Sequence, residues 1–194
     1  TCGRPEVLRG ALESIRKQTY PDVETVVIED GLEISRQMIC TEYSDLQLRY
    51  ISTGKRVGRA KAGNLGMKVA QGKYLNFLDD DDVLYPEHIE ILLQTLQSAE
   101  EKAVYSVAEE AAAIYRKRKR TFYDVRKKVR FREPFNRMYL LHTNYLPIQS
   151  VMFEKSLFEQ YGGFRENVDY LEDWDLWVRY ACLLYTSPSP RDTR

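Results

Sequence analysis

Long apolar runs are missing from this chain. None of its 194 residues belongs to a stretch near the roughly 18 apolar positions of a membrane span, and no signal peptide opens it. Cysteine is scarce. Cys2, Cys40 and Cys182 are odd in number and show no metal-ligand spacing, which agrees with a reduced cytoplasmic setting. Net charge is absent too, because 29 Lys and Arg balance 29 Asp and Glu, so overall charge says nothing about partners. Its distribution is uneven. Between Arg116 and Arg132 ten basic residues meet one acid, Asp124, which leaves the remainder net acidic. A strand before the first helix is also lacking, although the pattern that follows would want one. What is present, 43% hydrophobic and 30% charged residues, is the composition of a globular domain with a real core.

One stretch organises the rest. The apolar run Tyr74 to Leu78 leads directly into four consecutive carboxylates, Asp79 to Asp82, with a helix expected from about Pro86. Four adjacent like charges repel, so folding alone would not select them. A divalent cation among them resolves the conflict, and hard oxygen ligands suit Mg²⁺ or Mn²⁺. The competing reading is a solvated acidic turn ahead of a helix N-terminus. A calcium loop fits less well, since Val83 and Leu84 stand where a ligand and a glycine are needed.

Strand and helix signals alternate around that stretch. Pro5 opens a helix with Leu8, Ala11, Leu12 and Ile15 on one face. Glu24–Ile28 reads as a buried parallel strand ending in Glu29-Asp30-Gly31, followed by a weak helix over Leu32–Met38 and a strand over Leu46–Ser52. Ala62, Leu65, Gly66 and Val69 line a helix expected to stop at Gly72, and Ile89, Leu92, Leu93 and Leu96 line another. Ala103–Ala108 is a further strand, the basic stretch an exposed ribbon or loop, Pro134–His142 a helix and Pro147–Phe153 a strand. In the last helix Trp174, Trp177, Val178 and Ala181 share a face. The expectation is a doubly wound α/β domain with a mostly parallel sheet, over residues 1–181. The end, Cys182 to Arg194, looks like adapter read-through and is set apart as a non-native tail.

Acidic sites thus stand at three element ends: Asp30, Asp79–Asp82, and Glu172-Asp173. Thr1–Pro5, Ala11–Pro21, Val27–Gly31, Gly58–Gly66, Leu78–Asp82 and Glu172–Trp177, in that order, resemble successive motifs of the family 2 glycosyltransferases of GT-A fold. The resemblance implies transfer of a sugar from a nucleotide diphosphate to an acceptor hydroxyl, with inversion and with Mn²⁺ or Mg²⁺, in polysaccharide or cell-envelope glycan synthesis. It implies that Asp30 meets the nucleobase with Thr1 and Arg4, that Asp79 and Asp80 lie on the nucleotide-sugar side, and that Asp81 binds the metal. Asp173 becomes the catalytic base, with helix capping as its alternative. Glu172 and Trp174 fall on the acceptor side, core packing being the main alternative for Trp174. Arg59 and Asn64 support the nucleotide, with helix packing the alternative for Asn64. Partners are a nucleotide-sugar donor and a glycan or lipid-linked acceptor, without nucleic acid. Arg116–Arg132 would offer peripheral contact with the inner face of the membrane. The sequence departs from the family in having Gly63 where an arginine often precedes the asparagine, Glu29 as the first acid of the nucleobase turn, and no first strand. Two rivals remain: a haloacid-dehalogenase-type phosphohydrolase with Asp79 as nucleophile, and a catalytically dead nucleotide-sugar-binding module.

Overall fold

A computed structural model describes residues 1–116, 121–168 and 170–184, without the side chains of 113–125 and 183–184. Helix α1 (Pro5–Arg16) starts with Pro5 in its first turn, where a missing N–H costs nothing, and buries Leu8, Ala11 and Leu12. Strand β1 (Thr25–Glu29) lies parallel to β2 (Leu48–Ser52), in register from Thr25↔Leu48 to Glu29↔Ser52. Between them α2 (Arg36–Glu42) places Met38 and Ile39 against Leu8, Leu12 and Val27. The helix expected over Leu32–Met38 therefore starts later. Residues 32–35 are drawn off instead, because the Ile34 and Ser35 N–H groups donate to the fully buried carboxylate of Glu29.

Helix α3 (Arg59–Val69) follows Gly58, whose φ of +95° favours glycine. It ends at Ala70 rather than at Gly72, and the Lys155 Nζ donates to the Ala70 carbonyl. Strand β3 (Tyr74–Asn76) is shorter than expected. The Asn76 side-chain amide donates to the carbonyls of Gln149 and Val151, and residues 77–82 leave the sheet as a loop. Helix α4 (His88–Ser98) buries Leu92, Leu93 and Leu96. Strands β4 (Ala103–Tyr105), β5 (Ala108–Arg116) and β6 (Thr121–Phe131) follow, then the short α5 (Arg137–Leu140) and β7 (Val151–Glu154).

The α/β class stands, but parallel pairing among the described strands is confined to β1 and β2. Strand β7 lies between β3 and β4, antiparallel to both, and β5–β6 is an antiparallel hairpin. The connections decide this: β7 comes back to β3 from the far end of the chain rather than through a βαβ crossover. Phe153 on β7 is fully buried, with the rings of Trp177 at 5.8 Å and Tyr180 at 5.6 Å. Helix α6 (Lys155–Tyr161) had no expected counterpart. Helix α7 (Glu172–Leu184) buries Leu176, Trp177 and Tyr180 and continues past Ala181, the expected end of the domain. The remainder of the proposed tail, and Lys117, Arg118 and Lys119 of the basic stretch, lie outside the described residues.

Candidate active site

The site gathers where β1, β3 and the start of α7 meet. The Thr1 N–H group donates to the Ile28 carbonyl at 3.0 Å and the Asp30 N–H to the Thr1 carbonyl at 2.8 Å. Those two bonds form a parallel bridge with the end of β1. Just beyond, Gly3 N–H donates to Glu29 at 3.2 Å. Glu29 also accepts from the Ser35 hydroxyl at 3.0 Å and from the Tyr50 hydroxyl, alongside the Ile34 and Ser35 amides. Burial opposes its charge, but these donors, Tyr50 foremost, outweigh it and hold its carboxyl below the usual range. The sequence assigns Glu29 no role beyond the first acid of a turn; its partners come from three separate segments, at Gly3, Ile34–Ser35 and Tyr50.

With the N-terminal residues fixed, Thr1 Oγ1 and the Arg4 guanidinium reach the acidic loop. Arg4 contacts Asp80 and, at 3.3 Å, Asp81. Asp79, Asp81 and Asp82 each present a carboxylate oxygen, and the three lie within 4.8 Å of one another. The turn that assembles them is closed by the Asp82 N–H donating to the Asp79 carbonyl at 3.1 Å. Burial pushes Asp82 up to about 6, with Asp79 and Asp81 adding to it, and burial likewise raises Asp79. Hard oxygens whose charges are mutually unfavourable are a donor set suited to a divalent cation. Asp82 had been assigned no role of its own; the i to i+3 relation to Asp79 was the available signal.

Arg59, the first residue of α3, spans the opposite gap. Its Nη2 lies 3.1 Å from Asp79 and its Nε 2.7 Å from the buried Glu172. Asp173 stands next to Glu172, half-buried, and accepts from the Asn144 amide at 3.1 Å and from the Trp174 N–H. Asn144 carries no sequence signal for this contact. The turn into α7 puts Leu171 at φ +59°, a conformation that costs a non-glycine residue about 1–2 kcal/mol. Thr1, Arg4, Asp30, Arg59, Asp79, Asp80, Asp81 and Glu172 line a cleft of about 1010 Å³ whose remaining lining is largely apolar, Leu12, Val27, Met67 and Phe77 among it.

Other expected site residues fall elsewhere. Asn64, Asp173 and Trp174 do not line the cleft. The Asn64 amide donates to the Phe164 carbonyl at 2.9 Å and accepts from the Phe164 N–H at 2.8 Å, so both its atoms clamp the 162–164 turn onto α3. The same clamp accounts for Gly63 and Gly163. A Cβ at Gly63 would meet the Phe164 ring at 2.5 Å, and one at Gly163 would meet Asn64 Oδ1 at 2.1 Å, so no arginine fits at 63 without moving Phe164. The Trp174 indole N–H donates to the Leu140 carbonyl at 2.6 Å while its ring packs on the core, which favours packing over sugar stacking. Asp30 is occupied as well: its carboxylate accepts from Val57 N–H at 2.7 Å and Gly58 N–H at 3.0 Å, holding the loop that leads into α3 against the end of β1.

Residues 1–162 match the family described as glycosyl transferase family 2. The chain belongs to that family. Among similar proteins, the amylovoran biosynthesis glycosyltransferase AmsE of Erwinia amylovora is 27% identical over 187 residues, covering 93% of this chain and 66% of AmsE. The S. aureus TarS 1–349 structure in complex with UDP-GlcNAc superposes with a TM-score of 0.68 at 19% identity, over 93% of this chain and 51% of that one. The mannosyltransferase PcManGT from Pyrobaculum calidifontis, in complex with GDP-Man and Mn²⁺, gives 0.68 at 18%, over 94% and 50%. The fold is therefore GT-A. This chain spans 54% to 65% of the length of some of the curated relatives it matches and 13% to 32% of others. Family membership also removes the phosphohydrolase alternative, whose nucleophile would sit on a first strand; Asp79 follows β3, behind two others.

Proposed function

We propose that this chain carries the donor site and the catalytic base of an inverting glycosyltransferase that acts in polysaccharide or cell-envelope glycan synthesis. The carrying observation is the pair of acidic groups that Arg59 connects, Asp79 in the Asp79–Asp82 cluster and Glu172, with Asp173 next to Glu172 and outside the cleft lining. The names of similar proteins support the direction: TarS holds UDP-GlcNAc, PcManGT holds GDP-Man with Mn²⁺, and AmsE is named for amylovoran biosynthesis.

In this reading Asp30 and Thr1 meet the nucleoside, Arg4 and Arg59 exchange their carboxylate partners for donor phosphates, and Asp79 and Asp80 position the ribose and sugar. Asp81, with Asp79 and Asp82, would hold Mn²⁺ or Mg²⁺, whose charge stabilises the departing diphosphate. Asp173, oriented by Asn144, takes the proton of the acceptor hydroxyl as that oxygen bonds the anomeric carbon from the face opposite the leaving group. One bond forms as the carbon–phosphate oxygen bond breaks, which inverts the centre. Glu172 is tied to Arg59 and shapes the acceptor side. Asn64 acts through Phe164, not by direct contact. The reading also includes a strand leading into Thr1 along the open edge of β1, since Thr1 already makes both bonds of a parallel bridge there.

The test is sugar transfer to the natural acceptor by full-length wild type and Asp173→Asn, with donor affinity measured alongside. General-base removal should lower the rate by about 10²–10⁴ at near-normal donor affinity, with a smaller loss for Glu172→Gln. Near-normal turnover in Asp173→Asn would refute the base assignment, and donor binding without transfer by wild type would leave a non-catalytic binding module.

A further inference from the structure

The β5–β6 hairpin and the segment after it lie outside the machinery just described. Side chains two apart on a regular strand point the same way, so Arg126 and Lys128 share one face of β6; Arg130, left out of the pairing at a register shift, joins that face through its contact with Glu110. The pairing agrees: Lys128 stands opposite Glu110, and Arg130 Nη1 reaches Glu110 Oε2 at 2.6 Å. The other face turns toward the body, where Lys127 sits over the Tyr85 ring at 5.9 Å and Tyr85 donates to Glu109. Glu110 and Glu133 are the described acids on or beside the outward face, which remains cationic.

Beyond β6 the chain exposes three more apolar side chains. Phe135, Met138 and Leu141 are 41%, 60% and 42% exposed, although the segment is anchored from beneath. Tyr105 Oη donates to the Glu133 carbonyl at 2.8 Å, Asn136 N–H donates to Tyr145 Oη at 2.9 Å, and the Tyr139 and Tyr145 rings stack at 5.3 Å. Those anchors hold the backbone while apolar side chains remain outside. Two residues separate Phe135 from the exposed Arg132, which directly follows β6, so the two Cα atoms are at most about 11 Å apart.

We propose that the Arg126, Lys128 and Arg130 face together with Phe135, Met138 and Leu141 is a docking surface for an anionic lipid bilayer. Cations adjoining exposed apolar side chains match the two layers such a surface presents, charged headgroups and the acyl boundary. A nucleic acid would use the cations but leaves Met138 and Leu141 without a role. The inference goes beyond the catalytic reading and does not depend on it. Among the described residues no helix is long and apolar enough to cross a membrane.

Co-sedimentation of the whole chain with phosphatidylglycerol-containing vesicles, against pure phosphatidylcholine, tests the proposal. Wild type should partition only onto the anionic vesicles. The triple variant R126Q/K128Q/R130Q should bind at least about tenfold more weakly at low salt, with the gap closing as salt rises. M138S/L141S should bind about tenfold more weakly at every salt concentration. Asp81→Asn should bind like wild type, which separates this result from any failure of the catalytic reading. Absence of wild-type partitioning, or unchanged partitioning in both surface variants, would overturn the proposal. So would concentration-dependent dimerisation abolished by M138S/L141S without vesicle binding, which would make the patch a contact between copies.

Discussion

Glu29→Gln isolates the group that sets the N-terminal wall of the site. Oε1 accepts from Gly3 N–H and the Ser35 hydroxyl; Oε2 accepts from Ile34 N–H, Ser35 N–H and Tyr50. The glutamine amide does least harm in the Oε1 position, where it can donate to the Ser35 hydroxyl but faces the Gly3 N–H. That costs about 1 kcal/mol for the lost bond. The remaining three bonds lose charge assistance, together about 2–3 kcal/mol, and relief from burying a charge returns part of it. The sign is set by the lowered carboxyl: the fold prefers the charged form to a neutral one. A net loss of about 2–3 kcal/mol should lower Tm by roughly 5–10 °C for a domain of this size. Because the folded pKa is depressed, this contribution is present above pH about 4.5 and disappears as pH falls through the folded value, so the two proteins should converge in acid. Thermal melts by circular dichroism across that range check it. A Tm within about 2 °C of wild type at neutral pH would refute the claim that Glu29 ties these segments together.

Asp81→Asn should abolish divalent-dependent nucleotide binding by calorimetry while leaving Tm without cation near wild type. Asp30→Ala should weaken nucleoside diphosphate binding by about 1–3 kcal/mol, and it should also loosen residues 53–58, seen as faster hydrogen exchange at Val57 and Gly58. Asp82 titrates at about 6, raised chiefly by burial. Without cation, stability should therefore fall as pH rises from about 4 through about 6, and the Tm gain on adding Mn²⁺ should grow over the same interval. A cation-induced gain independent of pH would remove Asp82 from the ligand set.

Local patterns were enough for much of this chain. The apolar face Leu8, Ala11 and Leu12 required a helix, Thr25 to Glu29 required a strand, and the run of aspartates marked the site, because each rests on neighbours a few residues away. The Trp177 and Ala181 face of α7 was legible for the same reason. Residues whose partners lie far along the chain were not. The antiparallel entry of β7 depends on which edge of β3 is open when residues 151–154 arrive, and no period in the sequence records that. The late start of α2 depends on Glu29, and Asn64 is committed to Phe164, one hundred residues away. Asp82 differs again: its sequence position was plain, and only the turn that folds it back on Asp79 made it part of the cluster. Sequence alone determined most of the element types, α6 and β5 excepted, and which residue kinds the site would use, since propensity and patterning are local. Tertiary structure decided which of those residues face the cleft and which support it, since a buried carboxylate or amide takes whatever donors the packed fold brings within about 3 Å.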